Sequence, residues 1–170
     1  MKLRPFAVLL CLPALLSAQK LLNEQFAHGI GAWTVDSGKA FQTNGTLILR
    51  SIKAPEGGNQ QGAVSFRLTG LTPGKNYELH ADFRFERDFT NTWPWAMIAV
   101  YDASGASMIA EKRIHDRKQA GSGPDDSAWR TVSLPFNPGK ATTVTIRLSN
   151  RTEMLDQTHW DNISVTPLDS

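Results

Sequence analysis

Thr92-Trp93-Pro94-Trp95 places two indole rings on either side of a proline, with Asn91 before them and the apolar run Ala96 to Tyr101 behind them. Pro94 disfavours continuous strand pairing, so the segment reads as a loop that holds its rings at a surface. A pyranose presents an apolar C–H face and a rim of hydroxyls, and an aromatic plane beside polar groups complements both. The polar groups come from alternating positions: Asp82, Arg84 and Glu86 project from one side of a strand-like run, Arg147 projects from another, and Tyr101 shares a face with Trp95. Arg and Asp give charge-assisted hydrogen bonds to hydroxyls, and Arg grips an acidic sugar's carboxylate with two parallel bonds. These residues together predict a sugar cleft lined by Trp93, Trp95, Tyr101, Asp82, Arg84, Glu86 and Arg147. The same polar set, with Arg67 and His80, also suits a solvated sheet face crossed by ion pairs.

Other chemistry is less well provided. Tyr101, His80, His115 and Arg113 have the types to supply a base and a carboxylate-neutralising group, and Glu86 with Asp88 would serve a glycosidase only at a suitable separation. No spacing among His28, His80, His115 and His159 resembles a zinc site, and the chain has no G-x-S-x-G nucleophile elbow. Non-catalytic glycan binding is therefore the leading expectation. The alternatives are a structural or protein-interaction sandwich and a small polysaccharide-active enzyme, lyase or glycosidase.

The elements that must position these residues are strands. Tyr77, Leu79, Ala81, Phe83 and Phe85 alternate with Glu78, His80, Asp82, Arg84 and Glu86, the period of a half-buried strand. Val64 to Thr69 and Thr143 to Ser149 repeat the pattern, and Thr46 to Arg50, Ala96 to Tyr101, Ser107 to His115, Trp129 to Leu134 and Trp160 to Thr166 complete the set. Asn44-Gly45, Gly57-Gly58-Asn59, Pro73-Gly74, Ser104-Gly105, Gly121-Ser122-Gly123-Pro124 and Pro138-Gly139 mark reversals between them. Many short strands separated by turns predict an all-β antiparallel β-sandwich of the jelly-roll type.

Lys2 and Arg4, the apolar run Pro5 to Leu16 and the small pair Ser17-Ala18 read as a secretory signal peptide, residues 1–18, cleaved after about Ala18. The run falls short of the roughly 20 residues that span a bilayer, so no transmembrane segment is expected in the mature protein. Leu10 stands before Cys11 where a lipoprotein signal needs a small residue, and Cys11, the single cysteine, leaves with the signal. Residues 19–170 then form one disulfide-free domain, secreted or periplasmic, that must stand on its core. A net charge of +2, with basic residues scattered among acidic ones, gives no nucleic-acid footprint. Carbohydrate or polysaccharide is the expected partner, and other secreted proteins are the partners under the interaction reading.

Three stretches resemble cenC-type carbohydrate-binding modules, a family of galactose-binding-like jelly rolls. The opening LLNEQFAHGIGAWTV carries Asn23, Phe26 and Trp33 in that family's order, and LTGLTPGKNYELHADFRF resembles its turn and following strand. AWRTVSLPFNPGKATTVTIRLSN and the closing HWDNISV resemble its last strands. The resemblance implies that Trp33, Trp129 and Trp160 are core or strand-edge aromatics. It also implies a structural calcium near the termini, held by a carboxylate after the opening Phe and an Asp in the closing unit. Asp161 matches the second position; Ala27 follows Phe26 at the first, which leaves Glu24, on the other side of the Phe, as the nearby carboxylate.

Overall fold

The computed structural model describes residues 20–53, 55–86, 95–115, 128–151 and 157–168. The chain alternates β1 (Leu22–Glu24), β2 (Thr34–Ser37), β3 (Lys39–Thr43), β4 (Thr46–Arg50), β5 (Ile52–Lys53), β6 (Asn59–Gln60), β7 (Ala63–Thr69), β8 (Tyr77–Phe85), β9 (Trp95–Tyr101), β10 (Met108–His115), β11 (Arg130–Phe136), β12 (Thr143–Arg151) and β13 (Gln157–Pro167). Among the described residues there is no helix, and so none long and apolar enough to cross a membrane. One sheet runs β11-β8-β13-β4-β3, with β1 also pairing β13; the other runs β10-β9-β12-β7-β2; β5 and β6 form a small ribbon. Every pairing is antiparallel. The expected all-β sandwich is the observed one.

Alternation explains why the sheets stack. In β8 the odd-numbered residues Tyr77 to Phe85 are buried and the even-numbered ones stand half-exposed on the far side. The same parity turns Val144, Ile146 and Leu148 of β12 and Val64 and Leu68 of β7 into the space between the sheets. Trp160 is fully buried there against Phe83, ring centroids 5.6 Å apart, and Trp33 lies between Phe26 and Phe66. Burying rings of this size removes roughly 150–250 Å² each from water, which makes them the largest single contributions to the core. Trp33 and Trp160 are thus core residues, whereas Trp129 remains 44% exposed just before β11.

Asn44 and Gly45, both at positive φ, make the tight reversal between β3 and β4 that the Asn-Gly pair predicts. Near the other turns, the Thr72 N–H donates to the Tyr77 hydroxyl at 2.8 Å, so a ring stacked on Phe136 also anchors the approach to its own strand.

A buried amide ties the two sheets together. Asn150 of β12 accepts the Gly62 N–H at 2.8 Å and the Ser51 hydroxyl at 3.3 Å on Oδ1, while its Nδ2 donates to the Leu49 carbonyl at 2.9 Å. Leu49 belongs to the first sheet and Gly62 leads into the second, so one side chain bridges both. The backbone crowds around it: a Cβ on Gly38, at φ +69, would stand 2.6 Å from Gly62 Cα. Asn150→Ala leaves a buried N–H and a buried carbonyl unpaired, at about 1–3 kcal/mol each. Urea unfolding should therefore show a loss of roughly 3 kcal/mol, with Asn150→Asp also destabilised because it cannot donate to Leu49. Stability within about 0.5 kcal/mol of wild type would remove Asn150 from this role.

Candidate functional site

On the outer face of the second sheet, register sets three cross-strand rows: Met108, Tyr101, Thr145 and Arg67; Glu111, Ala99, Arg147, Ser65 and Thr34; and Arg113, Met97, Ser149, Ala63 and Ser37. Ala63, Ala99 and Ser149 are fully buried although they point away from the inter-sheet core. These small residues, with Glu111 and Arg147 on either side of Ala99, are covered by their longer neighbours. The Ser149 hydroxyl is buried among them without a hydrogen-bond partner. Such groups are rare in folded proteins and call for a specific cause.

A β-bulge adds a polar group to this face. The register of β2 on β7 slips between Val35 and Ser37, and the extra residue Asp36 turns its carboxylate onto the sheet face. There it accepts the Ser65 hydroxyl at 2.8 Å and pairs with Arg147 Nε at 3.5 Å. The Arg147 pair is about a quarter exposed on each side, so its use is to orient the guanidinium rather than to stabilise the fold. Beyond Tyr101, the Ser104 hydroxyl and the Ser104 and Ala106 N–H groups all donate to Asp102, which lowers its pKa and fixes the turn that carries Tyr101 into β10.

The outer face of the first sheet holds a second polar group. Arg84 Nη2 donates to His159 Nδ1 at 3.5 Å, which leaves Nε2–H of that ring to donate to Glu86 Oε2 at 3.3 Å. Burial lowers the His159 pKa, opposed by Glu86 and assisted by the Arg84 charge. The ring is therefore neutral at pH 7, and both its nitrogens are occupied. Asp82 accepts the Thr131 hydroxyl at 2.6 Å and the Asn162 amide at 2.9 Å, the latter from the bulge in β13.

The expected single cleft does not form. Asp82, Arg84 and Glu86 share the outer face of the first sheet, whereas Tyr101 and Arg147 lie on the outer face of the second. Stacked sheets are about 10 Å apart before outward side chains are counted, so the two groups cannot reach one sugar. Trp95 opens β9 opposite His115 and Arg151, at the end of the second face. Its side chain, all of Trp93, and Asp88 lie outside the described residues. Sequence reasoning missed Asp36, because a bulge breaks the alternation used to find strand faces. Trp129, read as core or strand edge, stands at the start of the edge strand β11 with its ring exposed beneath Arg84, 5.3 Å from the guanidinium.

The enzyme candidates divide between the faces: His80 lies on the first, whereas Tyr101, Arg113 and the strand position of His115 fall on the second. His80 pairs with Glu78 at 2.9 Å on the first sheet, and Arg113 pairs with Glu111 on the second. Glu24 and Asp161 come within electrostatic reach near β1 and β13. Burial raises the Asp161 pKa, the Asn162 N–H lowers it, and Asp82 and Glu24 raise it further. Glu24 also accepts the Phe26 N–H at 2.8 Å. Among the described residues no three His, Cys, Asp or Glu converge.

No protein-family profile and no curated protein matches the sequence. Solved structures do match the fold. The K3 cleaved adhesin domain of Lys-gingipain from Porphyromonas gingivalis aligns with TM-score 0.58 at 14% identity, over 87% of this chain and 99% of that one. A family 29 carbohydrate-binding module, CBM29-2, solved with mannohexaose, aligns at 0.56 and 14% over 89% and 92%. TmCBM61, solved with β-1,4-galactotriose, aligns at 0.55 and 14% over 89% and 100%. The chain thus has a fold found in carbohydrate-binding modules of several families, a broader group than the cenC type.

The neutral state of His159 has a measurable consequence. With its folded pKa below the unfolded value of about 6.5, the unfolded chain takes up a proton first as pH falls. This group's contribution is present above pH ~6.5 and is lost as pH drops toward the lowered folded value. Urea midpoints should fall between pH 7.5 and pH 5, and His159→Gln should flatten that part of the profile. An unchanged slope in the variant would show that the histidine does not titrate this way.

Proposed function

We propose that the protein is an exported, non-catalytic carbohydrate-binding module of the cenC type, secreted or periplasmic after cleavage near Ala18, that seats a glycan on the outer face of β10-β9-β12-β7-β2. The observation that carries this reading is the partly exposed Tyr101 ring in the row next to Arg147, whose guanidinium Asp36 orients on the same face. Arg147, held by Asp36, donates to sugar hydroxyls, and the half-exposed Tyr101 ring offers a plane for the C–H face. Trp93 and Trp95 extend the platform in this reading. The fold shared with sugar-binding modules supports it.

Affinity electrophoresis or calorimetry with soluble polysaccharides tests the site. Tyr101→Ala and Arg147→Ala should each weaken binding about tenfold, the effect of losing roughly 1.4 kcal/mol of contact. Trp95→Ala should act in the same direction. Full affinity in all three variants overturns this placement of the glycan.

A structural calcium belongs to the same proposal. Glu24 and Asp161 would be its carboxylate ligands, with backbone carbonyls supplying the rest of the six to eight oxygens. Burial is the main cause that raises the Asp161 pKa, and the Asp82 and Glu24 charges that add to it would be offset by a cation. Protein stripped with chelator should melt lower than protein in millimolar calcium, and Asp161→Asn should abolish the difference. Identical melting with and without calcium removes the ion from the proposal.

A further inference from the structure

One row of side chains crosses the whole outer face of the first sheet, on the side of the sandwich away from Tyr101 and Arg147. Register aligns Arg84 with His159, His159 with Ile48, and Ile48 with Phe41, while Trp129 stands beside Arg84 ahead of the β11 pairing. The middle of the row is closed, with Ile48 6% and His159 7% exposed; its ends are open, with Trp129 44% and Phe41 38% exposed. Four strand spacings separate the two rings, roughly 19 Å. Neither Ile48 nor Phe41 belongs to the inter-sheet core, so the strip gains nothing from the other sheet. Arg84 Nε is buried without a hydrogen-bond partner beside Trp129.

The adjacent row adds charge. Lys39 and Arg50 stand directly opposite each other in the β3–β4 ladder, on the same face as Phe41, and neither makes an ion pair among the described residues. Like charges at directly opposed positions repel. An anion bound between them offsets that cost, and a guanidinium beside an ammonium suits a carboxylate.

We propose that this face is a second, independent glycan site that takes an anionic polysaccharide, one bearing uronic acid carboxylates, laid across the strands. Trp129 and Phe41 receive the C–H faces of sugar rings near the two ends. Lys39 and Arg50 bind a carboxylate, and Arg84 holds the Trp129 ring from its inner side. The residues are disjoint from Tyr101 and Arg147, so either site stands without the other.

The test is affinity electrophoresis and calorimetry of the full mature chain with polygalacturonate, and with the same polymer fully methyl-esterified. Binding to polygalacturonate should fall about tenfold in Trp129→Ala and in Lys39→Glu, an exposed charge reversal that leaves the core intact. It should weaken as salt rises, and be much poorer for the esterified polymer. Tyr101→Ala with Arg147→Ala should leave it in place. That last result, with all other glycan binding also intact, would overturn the site at Tyr101 and Arg147 while upholding this face. Unchanged binding in Trp129→Ala and Lys39→Glu overturns the second site. So does loss of polygalacturonate binding only in the Tyr101 and Arg147 variants. A dimer in sedimentation equilibrium that dissociates in Trp129→Ala, with no glycan bound, would instead assign the strip to a second copy of the chain.

Discussion

The two-residue period of the strands is the constraint from which the rest follows. A strand can bury only every second side chain against the opposite sheet, so each burial decision also decides what faces outward. In β8 the burial of Tyr77, Leu79, Ala81, Phe83 and Phe85 forces Glu78, His80, Asp82 and Arg84 to one outer face together. In β12 the burial of Val144, Ile146 and Leu148 sends Thr145, Arg147 and Ser149 to the other. The packed core then works as a spacer. It keeps the two polar groups apart and makes two surfaces of different character.

Those surfaces differ because of what the neighbouring strands bring. Against β12, strands β7 and β9 bring Ala63, Ala99 and Met97, small or flexible residues that lie covered by longer neighbours. Against β8 and β13, strands β4 and β3 bring Ile48, Phe41, Arg50 and Lys39, a strip with an open aromatic end and cations that make no ion pair among the described residues. The first face is closed over its small residues, and the second leaves rings open to solvent.

Departures from the period are where polar groups are re-aimed. The bulge at Asp36 turns a carboxylate onto Ser65 and Arg147, and the bulge in β13 lets Asn162, at φ 49, reach Asp82 while Ile163 remains in the core. An extra residue costs ladder hydrogen bonds and returns a contact that regular alternation forbids. Asn150 works in the opposite sense. It keeps to the inward parity of β12 and spends its amide on backbone groups of both sheets, so a polar residue closes the sandwich where an apolar one would leave those groups unpaired.

The sequence by itself determined the strand class, the parity of the strongly alternating strands and most reversals. Each of these rests on local patterns, period two and turn residues, whereas the placing of Trp33 and Trp160 at core or strand-edge positions came from the resemblance to cenC-type modules. It could not decide which strands are neighbours, and the grouping of Asp82, Arg84 and Glu86 with Tyr101 and Arg147 failed on that point. Parity says that a residue faces away from the core, but not from which of two sheets it does so. Strands β2 and β3 carried too little alternation to be read, so Asp36 and Phe41 went unnoticed. Trp129 owes its exposure to the pairing of Arg130 with Phe83, a contact between residues far apart in the chain. Which faces exist was written locally; which residues share one was decided by long-range backbone hydrogen bonding between strands.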